Sequence, residues 1–145
     1  MNAERKNVAL AVSVPSVLPL VSVDAEKIAI VLDNLINNAV KYTPAGGAIA
    51  LTVRKMARDI EVSVSDTGIG IPKDQQREVF DQFFRARNAK LVATSGSGLG
   101  LYMAKNIIER HGGRMHFTSA ENEGTTVRFT IPLRSAKSEK TSATA

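Results

Sequence analysis

Ile60-Glu61-Val62-Ser63-Val64-Ser65-Asp66-Thr67-Gly68-Ile69-Gly70-Ile71-Pro72 is the stretch on which both the fold and the chemistry turn. Ile60, Val62 and Val64 alternate with Glu61, Ser63 and Ser65, a period of two that predicts a half-buried strand. Asp66 continues the apolar phase, so its carboxylate points inward, where a charge is costly unless hydrogen-bonded. Gly68 and Gly70 let the backbone turn sharply and approach a ligand with no Cβ in the way. Pro72 suits the opening of a helix. Asp66 to Pro72 fits two descriptions: a strand-turn-helix junction with a capping aspartate, or a ligand-binding turn. The rest of the chain decides between them.

Working outward, Ala48 to Met56 reads as a second strand, joined to the first by the polar turn Ala57-Arg58-Asp59. Before it, Ile28, Val31, Leu32, Leu35, Ile36 and Ala39 form the apolar stripe of a helix over about 25–42. Asp24 is its N-cap and Glu26 suits its dipole; Thr43-Pro44-Ala45-Gly46-Gly47 ends it. Earlier still, strand patterns occupy about 8–14 and 20–23. On the other side, Pro72 to Phe84 is expected to be at least partly helical, carrying Val79, Phe80, Phe83 and Phe84. Arg85 to Ser97 is polar and basic with no clear period, and a loop of that length in a compact domain is usually functional or disordered. A third helix, about 98–110, buries Leu101, Ala104, Ile107 and Ile108 and stops at Gly112-Gly113. Arg114 to Ser119 and Thr125 to Leu133 make a final hairpin. The expected fold class is α+β: a two-layer sandwich of a mixed, mainly antiparallel sheet of about five strands, covered on one face by about three helices.

Composition narrows the function. At 145 residues and 43% hydrophobic, the chain suits one domain with a single core. There is no cysteine and only His111 and His116, which excludes disulfides and thiolate chemistry and disfavours a histidine-rich metal site. The formal charge of +5 gathers at the ends, with +1 over Met1 to Asn7 and +2 over Arg134 to Ala145. Aromatics are 5%, too few for a base-stacking platform, so no nucleic-acid partner is expected. Val8 to Val23 is apolar but interrupted by Pro15 and Pro19 and too short to span a bilayer. It is read as strand, with no membrane segment in this chain.

Three further features bear on Asp66. Asn34, Asn37 and Asn38 lie mid-helix although asparagine is a poor helix former. Asn34 and Asn38 share a face at i, i+4, continued by Lys41 and Tyr42. That face is either merely polar or a site where amide oxygens meet Mg²⁺, a hard cation that prefers oxygen, and lysine meets phosphate. Gly96-Ser97-Gly98-Leu99-Gly100-Leu101 precedes the third helix, as a flexible capped loop or as an anion cradle of backbone N–H groups. It matches neither the Walker pattern nor the dinucleotide fingerprint. Thr125 is in phase with Val127, Phe129 and Ile131, so its hydroxyl can meet Asp66, directly or through water, or be satisfied within the core.

Together these stretches resemble one family. Asn34 to Pro44 (NLINNAVKYTP) is similar to the N box of sensor histidine kinases, and Asp66 to Pro72 to their first glycine box. Phe80 to Arg85 (FDQFFR) is similar to the F box, and Gly96 to Leu101 to the second glycine box. The motifs stand in the family's order within about residues 8–133. The resemblance is to the catalytic, ATP-binding domain of a bacterial-type sensor histidine kinase, in the GHKL superfamily. It implies a Bergerat-type fold, ATP and Mg²⁺ as cofactors, and roles for the matched positions. Asp66 would accept from the exocyclic amine of adenine, with Gly68 and Gly70 closing on the base, Ile71 on the pocket wall and Thr125 supporting the carboxylate. Asn38 would hold Mg²⁺ and Asn34 line the same site; Lys41 would contact phosphate and Tyr42 pack on adenine. Arg85 would neutralise charge at the transferring group, so Asn38, Lys41 and Arg85 carry catalysis. Gly96, Ser97, Gly98, Leu99, Gly100 and Leu101 would cradle the phosphates, and Arg85 to Ser97 would form the ATP lid.

The phosphoacceptor histidine with its helical hairpin is missing, and neither His111 nor His116 suits that role. The partner implied is therefore a separate dimerisation and histidine phosphotransfer domain, with a response-regulator receiver domain acting downstream and a cytoplasmic location. The expected organisation is an extension over 1–7, the catalytic domain over 8–133 and a disordered tail over 134–145. Two rivals in the same superfamily are a nucleotide-binding regulatory module and an anti-sigma-factor-like serine kinase; the F box and the long basic lid favour the histidine kinase.

Overall fold

The computed structural model describes residues 6–92 and 99–133. Its elements in chain order are β1 (Ala9–Ser13), α1 (Ala25–Tyr42), β2 (Ala48–Lys55), β3 (Asp59–Asp66), a 3-10 helix (Lys73–Glu78), α2 (Arg87–Val92), α3 (Gly100–Arg110), β4 (Met115–Ala120) and β5 (Gly124–Pro132). The strands form one mixed sheet in the order β1-β2-β3-β5-β4. Only β1 runs parallel to its neighbour; the remaining pairs are antiparallel.

The alternation in β3 decides which face is covered. Ile60, Val62 and Val64 are buried, and they meet Val31, Leu35 and Ala39 of α1 and Ala104 and Ile108 of α3 in a single core closed by Phe129 and Ile131 of β5. Both long helices lie on that face, as the α+β expectation has it. Asp24 caps α1 with its carboxylate, accepting from Glu26 N at 3.1 Å and Lys27 N at 3.3 Å. His111, at the end of α3, ties the two helices together. Its Nε2 accepts from Asp24 N at 3.1 Å, and its Nδ1 lies 2.8 Å from the Ile107 carbonyl. It is a structural strut between the two helices.

One local expectation is corrected and another is borne out only in part. Residues 20–23 are not a strand: Leu20 is 76% exposed, while Val21 and Val23 only pack against the core from outside the sheet. The span 72–84 is helical in part, as expected: the six-residue 3-10 helix is followed by turns. Its apolar residues serve different neighbours, so no helical face could satisfy them. Val79 is buried, Phe80 packs edge-on against Phe117 at 5.6 Å, and Phe83 takes a left-handed φ of 67° and stands 66% exposed. Conversely α2 lies inside the stretch read as aperiodic. The tail 134–145 and the extension 1–5 lie outside the described residues. Among the described residues, no helix is long and apolar enough to cross a membrane.

Candidate functional site

The sheet ends where β3 runs into its glycines, and there it opens a cavity of about 320 Å³ between α1, β3, β5 and the start of α3. That size falls within the ~300–1,000 Å³ of small-molecule sites. Leu35, Ala39, Val64, Ile69, Val79, Phe84 and Val127 make its walls apolar.

Asp66 is the charged group set into those walls. Its Oδ1 accepts two backbone donors, Gly68 N at 2.8 Å and Thr125 N at 3.2 Å. Burial pushes its carboxyl above the usual carboxylate range, while these two N–H groups pull partly the other way. Among the described residues no group donates to Oδ2. A carboxylate held by one oxygen in an apolar pocket has the other available to a ligand donor.

The turn after Asp66 is pinned on all sides. Ile69 N donates to the carbonyl of Tyr42, the last residue of α1, at 3.1 Å, and Asn122 N donates to Ile69 O at 2.6 Å. A Cβ at Gly68 would collide with the same Tyr42 carbonyl. Gly70 has φ 67°, and a Cβ there would strike the Ala120 carbonyl, so glycine is required. Asn88 Nδ2 donates to Gly70 O at 2.9 Å, and Gln76 Nε2 donates to Ile71 O at 3.0 Å.

α1 contributes Asn34, Asn37, Asn38, Lys41 and Tyr42 to the same cavity, Tyr42 standing next to the glycine turn that its carbonyl holds. The i, i+4 spacing read from the sequence does place them on one lining face. Lys41 Nζ stands 5.5 Å from the centre of the Tyr42 ring. Gly100 and Leu101 bring the N-terminus of α3 to the cavity lining, and a helix N-terminus suits an anion. A Cβ at Gly100 would sit 3.5 Å from Asn34 Oδ1, so amide face and helix start adjoin. Arg85 also lines the cavity. Among the described residues there is no group of three or more His, Cys, Asp or Glu that could hold a metal. Neutral amide oxygens fit a Mg²⁺ held chiefly by phosphates and water.

The structure thus brings together Asn34, Asn38, Lys41, Tyr42, Asp66, Gly70, Ile71, Arg85, Gly100, Leu101 and Thr125. Gly68 shapes the turn without lining the cavity, and Leu99 stands just behind α3's first residue. Gly96, Ser97 and Gly98 lie outside the described residues, as does the Ala93 to Ser97 part of the lid. Of the outcomes left open for Thr125, no direct bond joins its hydroxyl to Asp66; the hydroxyl lies 2.8 Å from Ser119 Oγ, and the Thr125 backbone N–H is what reaches the carboxylate. Asn37, Gln76, Asn88 and Ser119 were not foreseen. Asn37 carried a signal, being a third asparagine in the same helix. The others act through side-chain bonds to backbone of other segments, which leave no periodic trace.

Residues 23–135 match the family model described as histidine kinase-, DNA gyrase B-, and HSP90-like ATPase. The chain belongs to that family, and within it to the catalytic domains of sensor histidine kinases. It is 43% identical over 116 residues to the sensor histidine kinase WalK of Bacillus subtilis (strain 168), covering 79% of this chain and 19% of WalK. The catalytic domain of histidine kinase ThkA, in a nucleotide-free form, superposes with a TM-score of 0.77 at 30% identity, covering 91% of this chain and 84% of that one. Full-length ShkA in complex with AMPPNP gives a TM-score of 0.78 at 30% identity, covering 93% of this chain and 27% of that one. The chain therefore spans only about a fifth of WalK's length and about a quarter of ShkA's.

Proposed function

We propose that this domain binds Mg-ATP and transfers the γ-phosphoryl group to a histidine on a separate dimerisation and phosphoacceptor domain. The observation that carries the reading is the lining of the cavity. An apolar slot holds a carboxylate to whose second oxygen no described residue donates; three asparagines, a lysine, an arginine and the start of α3 line the same cavity. Adenine suits the slot, since its exocyclic amine can donate to Asp66 while the ring fills the space. Phosphates suit the polar and cationic lining.

In this reading Asp66, Gly70, Ile71 and Thr125 fix the base, with Tyr42 against it. Lys41, Arg85 and the first N–H groups of α3 hold the phosphates in line. Mg²⁺, held by Asn38 beside Asn34 and by the phosphate oxygens, would neutralise charge there. A ring nitrogen of the incoming histidine then bonds to the γ-phosphorus as the bond to the β,γ-bridging oxygen breaks and ADP leaves. Such a transfer asks mainly for positioning and charge neutralisation. The similarity to sensor kinases supports an acceptor domain outside residues 8–133, a receiver domain downstream of it, and a cytoplasmic setting.

The experiment is transfer of radiolabelled phosphate from ATP onto a cognate helical-hairpin domain supplied in trans. Wild-type protein labels it, and Asn38→Ala lowers the rate by at least tenfold. Undiminished transfer by the Asn38 variant removes its metal role. An absence of transfer by a wild type that binds ATP favours the regulatory-module reading.

A further inference from the structure

Ser119 lies on β4, one strand beyond the two that carry Asp66 and Thr125, and belongs to none of the four motifs. Its hydroxyl nevertheless stands at a three-way junction. It accepts from Ile71 N at 2.9 Å, lies 3.0 Å from Gly124 O, and lies 2.8 Å from Thr125 Oγ1. A serine hydroxyl has one proton and two lone pairs. Given to the Gly124 carbonyl, which can only accept, that proton leaves both lone pairs for the Ile71 N–H and the Thr125 hydroxyl. The group is then saturated, and no other protein contact can replace one of the three without breaking it.

What this junction joins matters. Ile71 closes the glycine turn, and Gly124 and Thr125 open β5; these two segments flank Asp66. The register sets the three side chains in one row across the sheet, Asp66 opposite Thr125 and Thr125 opposite Ser119. Thr125 N is itself one of the two donors to Asp66 Oδ1. The Ser119 carbonyl adds a second tie: Gln76 Nε2 donates to it at 2.9 Å and to Ile71 O at 3.0 Å. Ser119 is thus bound to Ile71 directly through its side chain and again through Gln76.

We infer that Ser119 is a positioning residue for base selection, holding the Asp66 carboxylate rigid enough to tell a 6-amino purine from a 6-oxo purine. The inference rests on the adenine reading of the cavity. A carboxylate fixed by the turn on one side and β5 on the other accepts from an amine and repels a carbonyl oxygen at the same place. Once the turn and the β5 start come apart, the carboxylate can swing away from a 6-oxo group, so the penalty on the wrong base falls more than the gain on the right one. Specificity built on a buried polar group is lost when that group can relax.

Calorimetric titration of the domain with ATP and with ITP tests this, using wild type, Ser119→Ala and Ser119→Thr. Wild type prefers ATP. Ser119→Ala lowers the ATP-to-ITP affinity ratio about tenfold, on the order of one lost hydrogen bond, and Ser119→Thr, which keeps the hydroxyl, retains the wild-type ratio. Ser119→Cys, similar in size with a weak acceptor, is expected to behave as alanine does and serves if Ser119→Ala does not fold. A folded Ser119→Ala or Ser119→Cys protein with lowered melting temperature but the wild-type ratio overturns the inference, leaving Ser119 a purely structural residue. A wild type that binds ATP and ITP equally overturns the adenine reading itself, and the role of Ser119 with it.

Discussion

Two sides of the cavity are built on opposite principles. The Asp66 side is assembled from segments far apart in sequence: β3, its glycine turn, the 3-10 helix, α2, and the β4–β5 hairpin, cross-linked by backbone donors and acceptors and tied to the Tyr42 carbonyl at the end of α1. The side carrying Asn34, Asn38 and Lys41 comes from one helix, placed by its own periodicity, with the start of α3 set against Asn34. One side is determined by long-range register and the other by local periodicity. Substitutions at the Asp66 side should therefore disturb binding and fold together, whereas those on the asparagine face should disturb chemistry and leave the fold alone.

The sharpest way to break this contrast is Asp66→Asn, which nearly preserves shape. Whichever way the amide is turned, it conflicts with a donor. With its oxygen toward Gly68 N and Thr125 N, its NH₂ faces the adenine amine; reversed, NH₂ faces the two backbone N–H groups. Affinity for ATP should fall by about 100-fold or more, since unpaired buried polar groups reject a ligand strongly. Calorimetry beside a thermal melt checks it, and wild-type affinity in the folded variant refutes the adenine assignment. The expected separation of binding from stability here would be an exception to the rule just stated, and it arises because Asn replaces a charge without altering register.

Gly70→Ala obeys the rule. At φ 67° a Cβ would strike the Ala120 carbonyl, so the turn must pull away from β4, taking the Ile71 bond to Ser119 with it. Strain of this kind costs on the order of 1–3 kcal/mol, and the melting temperature and ATP affinity should drop together. A variant that loses ATP affinity at unchanged stability would show the turn to be independent of the sheet. The matching control on the other face, Asn38→Ala, should slow transfer with little change in melting temperature.

The same division explains what could be read from the sequence. The asparagine face, the α1 stripe and the inward phase of Asp66 all follow from periods of 3.6 or 2, and each stands where those periods put it. Thr125 was placed by phase but not by chemistry: phase shows which way a side chain points, while the Asp66 donor is the Thr125 backbone. Gln76, Asn88 and Ser119 reach carbonyls or amides up to 48 residues away, and such long-range bonds leave no trace in composition or pattern. The 72–84 span is helical only over Lys73–Glu78 for a related reason. Val79, Phe80 and Phe83 carry a helix-like spacing, yet the cavity wall, Phe117 and solvent each take one of them, so tertiary contacts overrode local pattern beyond Glu78.

The smallest expected effect tests whether the rigid side stores a cost. Burial raises the Asp66 carboxyl above its ordinary value, against the partial help of two backbone N–H groups. Folding therefore favours the protonated acid. Full stability from this group is present below the unfolded carboxylate value of about 3.9, and it declines as pH rises through the folded value. At neutral pH the ion is held in the apo domain at a loss, which ligand binding offsets when the adenine amine donates to it. Two consequences follow in opposite directions. Without nucleotide, Asp66→Asn should melt at or slightly above the wild-type temperature at pH 7, and wild type should gain on it as the pH falls through the folded carboxyl's titration. ATP affinity of the wild type should meanwhile begin to fall at a pH above the ordinary carboxylate range, because the protonated acid no longer accepts freely. Parallel melts and titrations between about pH 4 and 8 would separate these. Should Asp66→Asn instead melt well below wild type at pH 7, with the gap narrowing in acid, the two backbone donors outweigh burial. The Asp66 side would then be stabilised by its charge, and its rigidity would carry no cost in the absence of nucleotide.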